Sequence, residues 1–162
     1  MRRALPALAL ALLFPLLLTL PISAPAHASE APKVPRGCPW TPARILCVSL
    51  THQKIWIARK GRVEWGPAPL RSGRPALPTH TGWYRINRRV RDDYSRLYQA
   101  PMPYSQYFSG GQALHGVYGF VHTGAGSHGC VNLLYKDAKE LWRRMRTGDQ
   151  LYIWGRRPAR LG

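Results

Sequence analysis

Acidic residues are scarce in this chain of 162 residues: seven Asp and Glu stand against 24 Lys and Arg, and the formal net charge is +17. A surface this basic favours a polyanionic partner. The basic residues are spread along the chain and do not gather with aromatic residues into a nucleic-acid-binding motif, which argues against DNA or RNA. The chain has no internal repeat, and its length predicts one folded domain.

Long apolar runs are also missing, except at the N-terminus. Arg2 and Arg3 precede an apolar stretch over residues 4–22, and Ala26-His27-Ala28 follows with the small-x-small pattern that signal peptidase prefers. We therefore predict a signal peptide over residues 1–28 and a secreted, cell-envelope protein. Removing the leader, which contains no acidic residue, takes away Arg2 and Arg3 and leaves a charge of +15. An exported protein of this charge meets anionic wall polymers and peptidoglycan rather than nucleic acid.

An uncleaved membrane anchor is the alternative interpretation of the apolar stretch. Pro6, Pro15 and Pro21 interrupt it and weaken a continuous membrane-spanning helix. We therefore expect no stable membrane insertion after cleavage.

Cysteine is rare, with three residues in the chain. In an exported protein an odd count predicts one disulfide and one free thiol. Cys38 and Cys47 are the natural pair, and they would tie the start of the domain to its first strand. Cys130 then remains free. The alternatives are that Cys130 is an inert buried thiol or that it pairs with one of the other two.

Short β-branched and aromatic runs, separated by Gly and Pro, predict a mostly β domain over residues 43–155. A Pro-rich linker over residues 29–42 precedes it, and a basic tail over residues 156–162 follows. The predicted strands cover Ile45–Leu50, Lys54–Ala58, Arg62–Trp65, Gly82–Val90, Tyr104–Phe108, Ala113–Phe120 and Gln150–Trp154.

One main α-helix is predicted near the C-terminus. It starts at about Asp137, where Glu140 three residues later matches a capping box, and it ends before Gly148. The apolar residues in and next to this segment follow helical spacing and form one buried stripe: Leu134, Ala138, Leu141, Trp142 and Met145. A helix of this kind would pack against the sheet.

The residues that indicate chemistry are Leu114-His115-Gly116 and, after a gap of ten residues, Ser127-His128-Gly129-Cys130-Val131-Asn132. A thiol beside an imidazole is the minimal activated cysteine nucleophile. Gly129 permits a turn that directs backbone N–H groups at one point, as a developing oxyanion requires. The two segments therefore predict acyl transfer.

These two segments resemble the signature of the L,D-transpeptidase catalytic domain family. The resemblance covers about Arg44 to Trp154. It includes four further short segments: Ser72-Gly73, Thr79-His80-Thr81-Gly82-Trp83-Tyr84, Asp137-Ala138 and Gly148-Asp149. It implies a β-sandwich or meander-like catalytic fold that uses no cofactor and no metal.

The resemblance also implies the activity. Cys130 would attack the carbonyl between the L-centre of a diamino acid and the terminal D-alanine of a peptidoglycan stem peptide. The thioester would pass to the side-chain amine of a second stem, giving a 3→3 cross-link. Carbapenem-type inhibitors are expected to acylate the same thiol.

The roles implied for the other residues follow the same motif. His115 would be the base or the imidazolium partner, and His128 could take that role instead. The amides of His128, Gly129 and Cys130 would form the oxyanion hole, while two side chains, Ser127 and Asn132, hold the loop.

A donor pocket lined by Tyr104 and Ser105 is also expected. The chain departs from the family in its short gap between His115 and Ser127, which predicts either a reduced lid over the donor site or an unusual acceptor. It also has Gly116 where some members have a polar residue, so that a backbone carbonyl would orient the His115 ring.

Three other functions fit parts of the pattern. Water in place of the amine would make the protein an L,D-carboxypeptidase. A metal site could use four nearby side chains, namely His115, His122, His128 and Cys130, although structural zinc sites favour tighter paired spacings. The basic charge would also suit a non-catalytic cationic protein that binds the cell wall.

Overall fold

The computed structural model describes residues 33–122 and 124–159, which form nine β-strands and one α-helix. The strands are β1 (Arg44–Ser49), β2 (Lys54–Arg59), β3 (Arg62–Arg71), β4 (Gly82–Arg85), β5 (Arg88–Ser95), β6 (Ala100–Ser109), β7 (Gln112–Val117), β8 (Val131–Leu134) and β9 (Gln150–Trp154). The helix, α1 (Tyr135–Arg144), lies between β8 and β9. The predicted mostly β fold with one helix near the C-terminus is confirmed. The predicted signal peptide lies outside the described residues.

All nine strands belong to one sheet, in the order β4-β9-β1-β2-β3-β8-β7-β6-β5. The two edge strands, β4 and β5, are consecutive in sequence and only Ile86 and Asn87 separate them. The amide of Ile86 donates to the Asp149 carbonyl near β9, and the amide of Asn87 donates to the Tyr107 carbonyl in β6. Since a two-residue connection spans only a few ångströms, the sheet must curl until its edges meet.

The main hydrophobic core fills the inside of this curl. It is built from alternate, fully buried side chains of strands in both halves of the sheet, together with the buried face of α1: Leu46, Val48, Ile55, Ile57, Leu70, Leu114, Leu133, Ala138, Leu141, Met145, Leu151 and Ile153. Period-two alternation along each strand sends these side chains inward. The helix therefore contributes to the same core as the strands and does not form a separate layer.

Strand β1 is buried on both faces, which explains its continuous apolar sequence. Its outer face carries Ile45 and Cys47, which belong to a second apolar cluster with Trp56. Residues 33–38 cover this cluster: the amide of Val34 donates to the Gly61 carbonyl, and Cys38 forms a disulfide with Cys47. The described part of the Pro-rich linker is thus held against the domain.

Four predicted strands have clearly different bounds in the structure, and two of them are longer than expected: β3 continues from Trp65 to Arg71, and β6 begins at Ala100 instead of Tyr104. The segment Gly82–Val90 was expected to be one strand, but the chain leaves one sheet edge after Arg85 and joins the other at Arg88. The strand expected over Ala113–Phe120 stops at Val117, and Phe120 is 76% exposed. Strand β8 was not predicted, because its four residues run directly into a helix with no turn residue between them.

The predicted capping box is wrong. Helix α1 begins two residues earlier than expected, its N-cap residue is Leu134, and no side chain caps it. Asp137 instead lies in the first turn, where a carboxylate favours the helix dipole, and burial raises the pKa of this carboxyl. The helix starts where strand β8 ends, so pairing of β8 sets its first residue. No helix among the described residues is long and apolar enough to cross a membrane.

The disulfide should contribute measurably to stability because it closes a loop of nine positions in sequence. We expect the double variant Cys38→Ala/Cys47→Ala to lose about 2–3 kcal/mol of unfolding free energy, from the greater entropy of its unfolded chain. Urea unfolding of the oxidised wild type and of the variant measures the difference. Equal unfolding midpoints would show that the disulfide adds nothing to the stability of the domain.

Candidate active site

The loop before β8 is fixed at its start by backbone hydrogen bonds. Ser127 pairs with Gly73 in an isolated parallel bridge. The amide of Ser127 donates to the Ser72 carbonyl at 2.9 Å, and the Ser127 carbonyl accepts from the amide of Arg74 at 3.0 Å. The segment that follows β3 therefore anchors the loop that carries the predicted nucleophile.

Side chains hold the rest of the loop. The Ser127 hydroxyl donates to the Cys130 carbonyl at 2.5 Å and accepts from the Gly129 amide at 3.1 Å. The hydroxyl of Thr79 donates to the Gly129 carbonyl at 2.8 Å. Gly129 has a φ of +108°, and a Cβ there would lie 2.6 Å from the side-chain nitrogen of Gln112. Only glycine fits this position without strain.

These bonds revise the expected oxyanion hole. The Gly129 amide is already occupied by the Ser127 hydroxyl, so it is not one of the free donors in this conformation. The amides of His128 and Cys130 are left as the candidates.

Cys130 is a free thiol and lines a cavity of about 300 Å³ together with His115. The sulfur accepts a hydrogen bond from the amide of Ala113 at 3.5 Å. His115 lies two residues further along β7, opposite Asn132 of the parallel strand β8. Parallel pairing of β7 with β8 therefore brings the two predicted catalytic side chains to the same cavity.

The His115 ring is oriented by the carbonyl of Gly116, as expected for this sequence. Its Nδ1 atom lies 2.9 Å from the Gly116 oxygen. A carbonyl can only accept, so Nδ1 carries the proton and Nε2 of the neutral ring keeps its lone pair. Gly116 also lets the helix approach, because a Cβ there would lie 3.2 Å from Ala138 and 3.3 Å from the backbone of Tyr135.

Burial controls the ionisation of both groups. Desolvation raises the pKa of the Cys130 thiol, a shift that the Ala113 amide only partly opposes. Desolvation lowers the pKa of His115, with nearby Arg71 acting in the same direction and the Gly116 carbonyl and Asp93 against it. The resting pair is therefore a neutral thiol and a neutral imidazole, which favours a base over an imidazolium partner for His115.

His128 lies in a different environment from His115. Its side chain is exposed, and its ring stacks on Tyr98 with ring centres 4.0 Å apart and planes 13° from parallel. Both rings line the cavity that contains Cys130. The stack holds His128 at the cavity rim, whereas His115 lies buried inside it.

Asn132 is buried and lines the same cavity, and its Oδ1 atom has no hydrogen-bond partner among the described residues. A buried acceptor of this kind costs free energy unless a ligand or water bonds to it. Its predicted role in holding the loop is thus not seen in the contacts, which show Thr79 and Ser127 in that role.

Tyr104 and Ser105 are not brought to the cavity. Tyr104 belongs to the main core, where its ring packs 5.9 Å from that of Trp142. Ser105 is fully buried, and its hydroxyl donates to the carbonyl of Met102. Their predicted place in the donor pocket is not supported, since both side chains are used in packing within and beside β6.

Three residues of the site, Thr79, Tyr98 and Arg71, could not be identified from the sequence. Thr79 lies in a segment noted for its resemblance to the family, but nothing indicated that its hydroxyl would reach Gly129. Tyr98, in the β5–β6 hairpin, and Arg71, at the end of β3, line the cavity. No local pattern distinguishes them from the other Tyr and Arg residues of the chain. Among residues 33–122 and 124–159, no three His, Cys, Asp or Glu side chains are placed to hold a metal ion, so the alternative metal site does not assemble there.

Comparison with known proteins agrees with this geometry. Residues 43–153 match the family model of the L,D-transpeptidase catalytic domain. No curated protein matches the chain significantly in sequence. The structure of an L,D-transpeptidase from Stackebrandtia nassauensis is similar, with 33% identity, a TM-score of 0.72, and coverage of 76% of this chain and 62% of that one.

More distant structures share the fold. L,D-transpeptidase 3 from Mycobacterium tuberculosis, in complex with a faropenem-derived adduct, is 19% identical with a TM-score of 0.61, and the match covers 70% of this chain and 61% of that one. The LD transpeptidase LdtMt1 in complex with imipenem is 23% identical with a TM-score of 0.62, covering 69% and 59%.

The match spans about three fifths of the length of these solved structures. The family model covers more than half of the present chain, through every strand and the helix. The chain belongs to the L,D-transpeptidase catalytic domain family.

Proposed function

We propose that this protein is a cysteine-dependent L,D-transpeptidase that forms 3→3 cross-links in peptidoglycan outside the cytoplasm. The observation that carries the proposal is the meeting of a free thiol, Cys130, and a buried, oriented imidazole, His115, in one cavity. Their loop is fixed by bonds from Thr79 and Ser127, which is the preorganisation that acyl transfer requires.

The first step acylates the thiol. As the Cys130 sulfur bonds to the carbonyl carbon between the diamino acid and D-alanine, its proton passes to Nε2 of His115. The negative charge that develops on the carbonyl oxygen is stabilised by the amides of His128 and Cys130. Collapse of the tetrahedral intermediate breaks the C–N bond, and D-alanine leaves with the proton from His115. A thioester remains on Cys130.

The second step resolves the thioester. The side-chain amine of another stem attacks the thioester carbonyl, giving up a proton to His115. The sulfur leaves and takes that proton back, so the resting neutral pair is restored. Attack by water instead would release a free tripeptide, which is the carboxypeptidase outcome.

His115 is assigned the base because its free nitrogen and its burial suit proton transfer, whereas His128 stacks on Tyr98 at the rim. Asn132 offers a buried acceptor to an N–H group of the donor stem. The net charge of +17 supports anionic wall polymers and carboxylate-bearing stems as partners. The complex of LdtMt1 with imipenem supports inhibition of this chain by carbapenems as well.

The nucleophile can be tested by intact mass, because the disulfide leaves Cys130 as the one reactive thiol. We expect wild-type protein to gain one adduct per chain with a tetrapeptide stem and with a carbapenem. The variant Cys130→Ala should gain none, whereas Cys38→Ala/Cys47→Ala should still be acylated. Adducts that persist in Cys130→Ala would refute the assignment. Activity should also survive a chelator, and a cross-linked dimer rather than a tripeptide should be the main product.

The base can be tested by comparing two histidine variants. Loss of a general base should slow acylation by about 10²–10⁴-fold, so we expect His115→Ala to fall in that range. His128→Ala keeps its backbone amide and should slow acylation by less than about tenfold, a tenfold change being about 1.4 kcal/mol. Rapid-mixing mass spectrometry with a carbapenem measures both rates. The opposite order would make His128 the base.

The pH dependence follows from the direction of the two pKa shifts. The active pair needs His115 unprotonated, and burial lowers its pKa; acylation should therefore be lost only below the ordinary imidazole value of 6.5. The proton on the thiol is lost only above its ordinary value of 9.0, since burial raises that pKa. We expect a broad plateau of acylation rate between these limits. A bell-shaped pH profile of the acylation rate, centred near 6.5 or near 9.0, would contradict this expectation.

A further inference from the structure

A second cavity, of about 770 Å³, lies behind the catalytic loop. It shares none of its lining residues with the cavity that contains Cys130. Residues 72–74 lie between the two: Arg71 lines the first cavity, and Ser72, Gly73 and Arg74 line the second. The proposed reaction leaves this second cavity without a role.

The second cavity is lined by basic side chains and by no acidic one among the described residues. Arg74 comes from the loop after β3, and Arg156 and Arg157 follow β9. His80 and Thr81 add further polar groups to the wall. A concave surface with charge of one sign concentrates ligands of the opposite sign.

Two of the three arginines are available to a ligand. Arg157 is used within the fold, where its guanidinium donates to the side-chain oxygen of Gln53 and to the Gly124 carbonyl. The guanidinium groups of Arg74 and Arg156 make no hydrogen bond or ion pair to any described residue. Guanidinium binds phosphate and carboxylate in bidentate geometry.

The size of the cavity indicates the kind of anion. Its volume lies in the range of about 300–1,000 Å³ that holds drug-sized molecules, far more than one phosphate or carboxylate group fills. The free arginines come from two separate segments, so they suit anionic groups that repeat along a chain. We propose that this cavity binds a linear wall polyanion whose phosphate or carboxylate groups pair with Arg74 and Arg156.

Binding there would place the polymer beside the catalytic loop. The amide of Arg74 donates to the Ser127 carbonyl, and Thr79, which lines the cavity, bonds to the Gly129 carbonyl. The polymer would thereby hold the enzyme in the wall with its catalytic cavity still open. This inference rests on the proposed function only in assuming that the protein acts in the wall.

The test compares two charge-matched double variants of the full chain. Arg74→Gln/Arg156→Gln removes the free arginines of the cavity, and Arg36→Gln/Lys139→Gln removes two exposed charges elsewhere. Binding of a labelled glycerol phosphate octamer, and of a galacturonate octamer as the carboxylate probe, is followed by fluorescence anisotropy at low salt. We expect the cavity variant to raise the Kd of at least one probe about tenfold or more, and the control variant by less than about threefold. For each Arg–phosphate or Arg–carboxylate pair, the loss of a charge-assisted bond accounts for this difference.

Each outcome decides the proposal. If the cavity variant weakens the binding of both probes, the probe with the larger increase in Kd identifies the anionic group that the cavity prefers. If the cavity variant and the control variant weaken polymer binding equally, binding depends only on overall positive charge and the proposed site is wrong. If the loss of Arg74 and Arg156 weakens binding of the tetrapeptide stem but of neither polymer, the cavity binds peptide and the proposal is wrong. Acylation of Cys130 is measured on the same wild-type protein, so that absent polymer binding with intact acylation overturns this inference alone.

Discussion

The pairing of β3 with β8 is the constraint on which the site depends. It is only two residue pairs long, Leu70 with Leu133 and Arg71 with Asn132, yet it joins the two halves of the sheet. The bridge between Gly73 and Ser127 continues the contact past the ends of the strands. Because β8 also pairs with β7, the same short strand aligns the Cys130 loop with His115. The proposed nucleophile and the proposed base therefore come from separate segments and meet only when the sheet is complete.

Much of this architecture could be predicted from sequence, and the failures have physical causes. Strands β1, β2 and β9 were found because apolar runs bounded by Gly or polar turns are local features, whereas β8 has four residues and no turn before the helix. Cys130 and His115 could be singled out from residue chemistry and from the motif. Thr79 and Tyr98 could not, since their importance comes from contacts with Gly129 and His128 across the fold. Tyr104 was predicted to line the donor pocket and lies in the core instead, because a motif locates a strand but does not show which face of the sheet a given side chain occupies.

Burial suits a reactive thiol to the oxidising location that we propose for this protein. Thiolates, rather than thiols, are oxidised and exchange with disulfides, so an exposed, ionised cysteine outside the cytoplasm would be short-lived. Desolvation keeps the Cys130 proton in place at rest, and it keeps His115 neutral as well. The proton then needs to move only when a carbonyl carbon is within reach of the sulfur. Under the proposed mechanism, the protein would give up some thiolate concentration and keep its nucleophile intact between substrates.

The scarcity of acidic residues shapes the surface as much as the number of basic ones does. Glu64 pairs with Arg44 and Arg59, and Glu140 pairs with two arginines of its own helix. Asp93 accepts a hydrogen bond from the Tyr107 hydroxyl. These three carboxylates are thus occupied by local structural contacts, and no acidic residue among the described ones lines the second cavity. Arg74 thus has no acidic partner among the described residues, which leaves its charge available to an anionic ligand.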